Sequence, residues 1–233
     1  MSTGRSTAAL PAAVLWDVDG TLLDTEPYWI AEEYAVVEAL GGRWTHEDAM
    51  ALVGQPLLAS GEYMAGLVPT PVAAVDIVDR LVAGVGRRMQ QALPWRPGAV
   101  ELLGELRELG VPCGAVTMTY RVLTDMLEAA LPAGALAVVV TGDEVTHGKP
   151  HPEPYATAAR LLGCAPADCV AIEDSDTGAA SALAAGMPTV VVPHVKPVPP
   201  LPGAVQVSTL VGVRAHDLLP LTDSARAALT TRG

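Results

Sequence analysis

Positive charge, cysteine and long apolar runs are all scarce in this chain. Of its 233 residues only 14 are Lys or Arg against 26 Asp or Glu, a formal net charge of −12. A phosphate backbone is repelled by the average field of such a chain, which argues against nucleic acid as a partner. The three cysteines, Cys113, Cys164 and Cys169, form an odd set without metal-ligand spacing. They give no disulfide framework and suit small buried side chains in a reducing compartment, so a cytoplasmic protein is expected. No stretch approaches the ~20 consecutive apolar residues that span a bilayer, so no membrane association is expected. The opening MSTGRSTAALP has one Arg, and the apolar stretch it begins runs into acids rather than to a small-residue cleavage site. Residues 1 to about 11 therefore read as a tail and not as a secretory signal.

The length suffices for one large domain, or for a domain carrying a smaller insertion. Short apolar runs recur as AVLWDVDG (13–20), CGAVT (113–117), LAVVV (136–140), CVAIE (169–173) and PTVVV (188–192). Such runs suit strands buried on both faces. Between them lie segments of helical period: 97–110, with Val100, Leu103, Leu106 and Leu109 facing one way, then 121–130, 152–163 and 177–186. Strands alternating with helices of this length predict right-handed βαβ units and an α/β fold with a doubly wound parallel sheet. Ligands of such sheets bind beyond the carboxyl ends of the strands. After a Pro-rich connector, KPVPPLPG, a last strand is expected in AVQVSTL (204–210), followed by a C-terminal helix.

From Pro27 to about Leu93 the alternation stops, and three helical stretches follow one another without a strand. PYWIAEEYAVVEALGG opens with Pro and closes on a Gly pair, THEDAMALVG opens with a Thr45/Asp48 capping pattern, and 72–93 is the third. The expected organisation is a core of residues 1–26 and 94–233 and a helical insertion of residues 27–93. Placed over the strand ends, such an insertion excludes water and selects substrates.

Asp17 and Asp19 stand two apart at a strand end, where a period of two puts both side chains on one side, and Gly20 permits a tight turn after them. One such carboxylate can attack phosphorus while the other serves the leaving group and then activates water. Two buried carboxylates repel each other, so a cation is needed to keep the nucleophile ionised. Thr117 ends another strand, and its hydroxyl with the following N–H, that of Met118, suits a phosphoryl oxygen. Lys149, in HGKPHPEPY, can screen acids and bind phosphate as a point charge. Glu173 and Asp174 bring two more hard oxygen ligands to a strand end, of the kind Mg²⁺ prefers.

In this order DVDGTLLDTEP, the strand-ending Thr117, GKPHPEPY and IEDSDTGAASALAAG resemble the four motifs of the haloacid dehalogenase (HAD) superfamily, over nearly the whole chain. The resemblance implies a Rossmann-like core with an inserted helical cap, as in the subgroup of β-phosphoglucomutase and many sugar-phosphate phosphatases. It implies Asp17 as nucleophile, Asp19 as general acid and base, and Thr117, Met118 and Lys149 around the phosphoryl group. It implies Mg²⁺ held by Asp17, the carbonyl of Asp19 and Asp174, with Glu173 as a direct or water-mediated partner. The implied activity is hydrolysis of a small phosphate ester, by a monomer or weak homo-oligomer.

Other residues are weaker candidates. His147 and His151 flank Lys149 but sit beside Gly148 and Pro150, which favours loop residues over a metal pair. Tyr28, Trp29, Tyr34 and Trp44 suit either a pocket lining or helix packing. Arg43, Arg87 and Arg88 are possible substrate anchors, with solvated faces the plainer expectation. Asp19 favours phosphoryl transfer over carbon–halogen cleavage, because expelling an alkoxide needs an acid. A phosphomutase of the resembling subgroup carries a His shortly after DxDGT and an Arg after the Gly-containing turn of the cap. Trp29 stands at the first of those places here and Leu57 near the second, with Arg43 or Arg87 as the alternative source of a cation. A phosphorelay receiver would be about half this length without an insertion, and a catalytically silent module would not keep every motif residue.

Overall fold

The protein is described by a computed structural model in which residues 9–223 are the described residues; most of the N-terminal tail, and the last residues of the segment expected from the sequence to be a C-terminal helix, lie outside them. Six short strands, β1 (Ala13–Trp16), β2 (Cys113–Val116), β3 (Val138–Val140), β4 (Cys169–Glu173), β5 (Thr189–Val191) and β6 (Ala204–Gln206), form one sheet. Its order is β3-β2-β1-β4-β5-β6 and every pairing is parallel. The order reverses at β1, with β2 on one side and β4 on the other, as in doubly wound nucleotide-binding sheets. The α/β fold read from the alternation is the one observed.

Helices α1 (Glu26–Ala39), α2 (His46–Leu52), α3 (Leu57–Ala65) and α4 (Ala74–Gln91) follow β1 consecutively. Helices α5 (Ala99–Glu108), α6 (Arg121–Ala130), α7 (Glu153–Leu162) and α8 (Asp176–Ala184) then alternate with the strands. Val14 and Trp16 of β1 pack into one layer with Leu102, Leu103 and Leu106 of α5 and Leu123 and Leu127 of α6. Ala13 and Leu15 point the other way, into Tyr155, Ala158 and Ala159 of α7 and Ala182 of α8. Successive side chains of a strand face opposite layers, so β1 is apolar throughout. The buried stripe of α5 corrects the one read from the sequence. Ala99, Leu102, Leu103 and Leu106 face the sheet, whereas Val100 and Leu109 are exposed. Spacings of three and four keep to one face, and the run of threes from Val100 to Leu109 drifts off it.

In the four-helix insertion α2 is set by its capping box: the Thr45 hydroxyl accepts from the Asp48 N–H at 3.2 Å and Asp48 Oδ2 accepts from the Thr45 N–H at 2.9 Å. Helix α3 was not anticipated. It starts after Pro56 without a side-chain cap and is stabilised by packing on α4, where Gly61 permits the approach. A Cβ at Gly61 would lie 2.6 Å from the carbonyl oxygen of Ala74. Helix α4 buries Ile77, Val78, Leu81, Val85 and Met89 along one stripe, and Arg88 Nε donates to Glu32 Oε1 of α1 at 2.6 Å.

The chain enters and leaves the insertion through two adjacent linkers. Leu23 and Trp95 form an antiparallel bridge, the Asp24 N–H donates to the Pro94 carbonyl at 2.7 Å, and the Arg96 N–H donates to the Leu22 carbonyl at 2.9 Å. His194, in the loop after β5, joins both linkers, with Arg96 Nη1 2.7 Å from its Nδ1 and Asp24 Oδ1 2.7 Å from its Nε2. A guanidinium only donates, so Nδ1 is the acceptor here and Nε2–H donates to Asp24.

Candidate active site

The carboxyl ends of β1, β2 and β4 bring the motif residues together. Asp17 continues the ladder beyond β1, its N–H donating to the Ile172 carbonyl at 3.0 Å, which sets it beside Glu173 and Asp174. Gly20 turns the chain back with φ of 91°, and a Cβ there would collide with the Asp174 carboxylate. Small size and left-handed backbone are thus both required at that position.

Lys149 is buried among acids. Its Nζ donates to Asp17 Oδ1 at 2.7 Å and to Glu173 Oε1 at 2.6 Å. Glu173, with no exposed surface, is held further by the Tyr155 hydroxyl at 2.7 Å and the Ser175 hydroxyl at 3.2 Å. Burial opposes the lysine charge, but the two carboxylates more than offset this and raise its pKa. Burial also pushes Asp17 up to about 7, with Lys149 opposing and Glu173 and Asp19 adding to the rise. Asp174 is raised to about 9 by burial and then by Asp17 and Glu173. Three carboxylates thus face one ammonium.

Two observations fit a hard divalent cation at this place. Asp17 Oδ2 is buried and has no hydrogen-bond partner, and Asp17, Glu173 and Asp174 offer oxygens within 4.8 Å of one another. Glu173 spends both oxygens on Lys149, Tyr155 and Ser175, whereas Asp17 and Asp174 line the cavity described below.

Asp19 lies across the same opening and accepts four hydrogen bonds. Its Oδ1 takes the Thr25 hydroxyl at 2.6 Å and the Trp29 indole N–H at 3.3 Å, and its Oδ2 takes the Thr117 hydroxyl at 3.0 Å and the Thr119 hydroxyl at 2.7 Å. The Thr117 hydroxyl is therefore turned to Asp19, and it accepts from the Thr119 N–H at 3.0 Å. Sequence reasoning missed Thr25 and Thr119. The second was visible in VTMTY, since a residue two after Thr117 at a strand end shares its side. Met118 lines the cavity, and its sulfur accepts from the Lys149 N–H at 3.2 Å.

These residues border a cavity of ≈ 120 Å³ between the sheet edge and the insertion. The insertion side presents Glu26, Trp29, Glu33, Gln55, Leu57 and Ser60. Of the four insertion aromatics singled out from the sequence only Trp29 reaches it: Trp44 packs edge-on against a fifth, Tyr63, at 6.0 Å, the Tyr28 hydroxyl donates to the Ala92 carbonyl, and Tyr34 packs on the core. Arg43 is exposed and Arg87 and Arg88 turn to Glu32, as solvated-face residues would. The His147 and His151 rings stack at 4.6 Å in an exposed loop outside the cavity, where Glu153 ties the loop together.

The sequence pattern of the family "Haloacid dehalogenase-like hydrolase" matches residues 14–192, which hold all these strand-end residues. The chain belongs to this family. A haloacid dehalogenase-like relative, protein CbbY of Rhodobacter capsulatus, is 34% identical over 195 residues, 78% of this chain and 85% of that one. Hexitol phosphatase A of Escherichia coli (strain K12) is 32% identical over 180 residues, 74% of this chain and 78% of that one. A crystal structure of a mutant CbbY from Rhodobacter sphaeroides in complex with xylulose-1,5-bisphosphate aligns with a TM-score of 0.80 at 26% identity. That alignment spans 88% of this chain and 96% of the other.

Proposed function

We propose that this chain, a phosphatase of the haloacid dehalogenase-like family, hydrolyses small phosphate monoesters by transfer of the phosphoryl group to Asp17 and then to water. The observation that carries this reading is the pair of Asp17 oxygens: Lys149 fixes Oδ1 while Oδ2 remains buried and unpartnered beside the cavity. An Asp17 oxygen forms the bond to phosphorus as the bond to the ester oxygen breaks, and Asp19 gives that oxygen its proton. Water then attacks phosphorus, the bond to Asp17 breaks and the water's proton passes to Asp19, which restores the Asp17 carboxylate and the Asp19 acid. Asp17, Asp174 and the main-chain carbonyl of Asp19 would hold Mg²⁺, which when bound supplies positive charge opposite the phosphoryl oxygens. We assign Lys149, Thr117 and the Met118 N–H to the phosphoryl oxygens, and Glu173 to the orientation of Lys149. The division is taken as a core of residues 1–26 and 94–233 and a cap of residues 27–93. The enzyme works in the cytoplasm as a monomer or weak homo-oligomer on a small-molecule ester, with neither nucleic acid nor membrane as partner. Among the described residues no helix is long and apolar enough to cross a membrane.

Phosphate release from a broad ester panel, with Mg²⁺ and in excess chelator, tests the reading. Turnover is expected only with the metal, and Asp17→Asn is expected to retain under about 1% of it with its fold intact, because an amide cannot attack phosphorus. Full activity in chelator, or turnover by Asp17→Asn above a few per cent, would show it to be wrong.

A further inference from the structure

We propose that His147, His151 and Glu153 form a metal site apart from the strand-end acids, on the surface turn that carries Lys149, for a borderline divalent ion of the Zn²⁺ class. The proposal is independent of the phosphohydrolase reading, since none of the three residues lines the catalytic cavity. Along the chain, Gly148 and Pro150 speak against a metal pair because they prevent a helix. The folded turn brings the rings together without one. The His151 N–H donates to the Gly148 carbonyl at 3.0 Å, and the His147 and His151 rings stack at 4.6 Å. Glu153, the first residue of α7, reaches back to this turn, where its Oε1 accepts from the Thr146 N–H at 2.8 Å and its Oε2 from the His147 N–H at 3.0 Å.

The ligand atoms are arranged for such an ion. The Glu153 N–H donates to His151 Nδ1 at 3.2 Å, and a backbone N–H only donates, so that nitrogen carries a lone pair. His147 Nδ1 donates to Glu153 Oε2 at 3.0 Å, and moving its proton to Nε2 frees it without charging the ring. Glu153 Oε2 thus has His147 Nδ1 at 3.0 Å and His151 Nδ1 at 4.0 Å, and one ligand atom of each residue lies within 4.8 Å of the other two. Bonds of about 2.0–2.2 Å to one ion place such atoms about 3–3.5 Å apart. Rotation of the two rings, which are 63% and 50% exposed, closes the longer edges, and the same exposure admits the ion from solvent. Two imidazoles and a carboxylate suit Zn²⁺, Co²⁺ or Ni²⁺, whereas the strand-end acids offer oxygen alone, the donor type of Mg²⁺. The two places therefore sort cations by ligand chemistry. Lys149 stands between the histidines and its Nζ holds Asp17 and Glu173, so an ion here fastens the start of α7 to the turn that delivers that ammonium.

The test measures Zn²⁺ binding to the full chain by calorimetry in excess Mg²⁺, for wild type and for the double variant His147→Ala/His151→Ala. Removing even a supporting partner of a metal ligand costs about 10- to 100-fold in affinity, so loss of two ligands should weaken the Zn²⁺ step at least about tenfold. The chain has five histidines, so the ring resonances of His147 and His151 can be assigned by the single variants His147→Ala and His151→Ala, and both should shift when wild type takes up Zn²⁺. Equal affinity in the double variant would place the ion among the strand-end acids and overturn the proposal. Rings whose resonances stay put while Zn²⁺ binds would overturn it as well, as would a wild type that binds no Zn²⁺.

Discussion

Glu33 is held in its neutral form by burial and by Glu26, and this has a measurable cost to the fold. Its folded pKa of about 7 lies above the ordinary value of 4.5, so its contribution to stability is complete below about 4.5 and is lost as pH rises towards 7. Glu33→Gln removes the ionisation and should stabilise the protein by about 2–3 kcal/mol at pH 8, with the gain vanishing by about pH 4.5. Thermal unfolding at the two pH values measures it. An equal shift at both would mean that Glu33 ionises as it does in water. Asp19 is the opposite kind of residue, an acceptor surrounded by four donors, two of them from the start of α1. To protonate a leaving group it must give up part of that set, so its chemistry depends on where α1 lies.

The position of α1 is governed by the linkers, and the linkers by His194. Loss of the imidazole frees Arg96 and Asp24 from the loop after β5. His194→Ala should then raise KM about three- to tenfold with a smaller change in kcat, because the insertion is less well oriented before substrate binds. Amide exchange in peptides spanning 22–24 and 94–96 should quicken in parallel, and unaltered exchange would remove the linkers from the explanation. Nothing in the sequence pairs residues 24, 96 and 194, since contacts between distant loops leave no periodic trace. The strands were legible for the opposite reason: doubly covered parallel strands are continuous apolar runs, and AVLW and CVAIE are buried at every position. Thr45 and Asp48 announced α2 by a local cap, whereas α3 has none and depends on α4, so only the structure reveals it. The strand-end acids, Thr117 and Lys149 were readable from their motifs. Glu26 and Glu33 were not, because a Glu on a helix of mixed pattern looks solvated until its neighbours are known.

For the molecule as a whole, the balance of charge around the cavity separates hydrolysis from isomerisation. A mutase must grip the second phosphate of its bisphosphate intermediate while excluding water. Here Glu26 and Glu33 line the helical wall of the cavity with Trp29 and Leu57, and the sequence reading puts Trp29 at the first ionic position of the mutase pattern and Leu57 near the second. Incubation with β-glucose 1-phosphate, Mg²⁺ and a trace of the bisphosphate should therefore release free phosphate faster than it forms glucose 6-phosphate. The reverse order would identify a mutase. The paired linkers bear on how such a molecule diversifies. Leu23 and Trp95 are bridged, so the sheet-bearing part is nearly continuous in space across the gap from which α1 to α4 emerge. A helical unit of different length or composition can be exchanged at that gap without altering any strand register. Selection can then rewrite the helical wall of the cavity while leaving the residues proposed for phosphoryl transfer where they are.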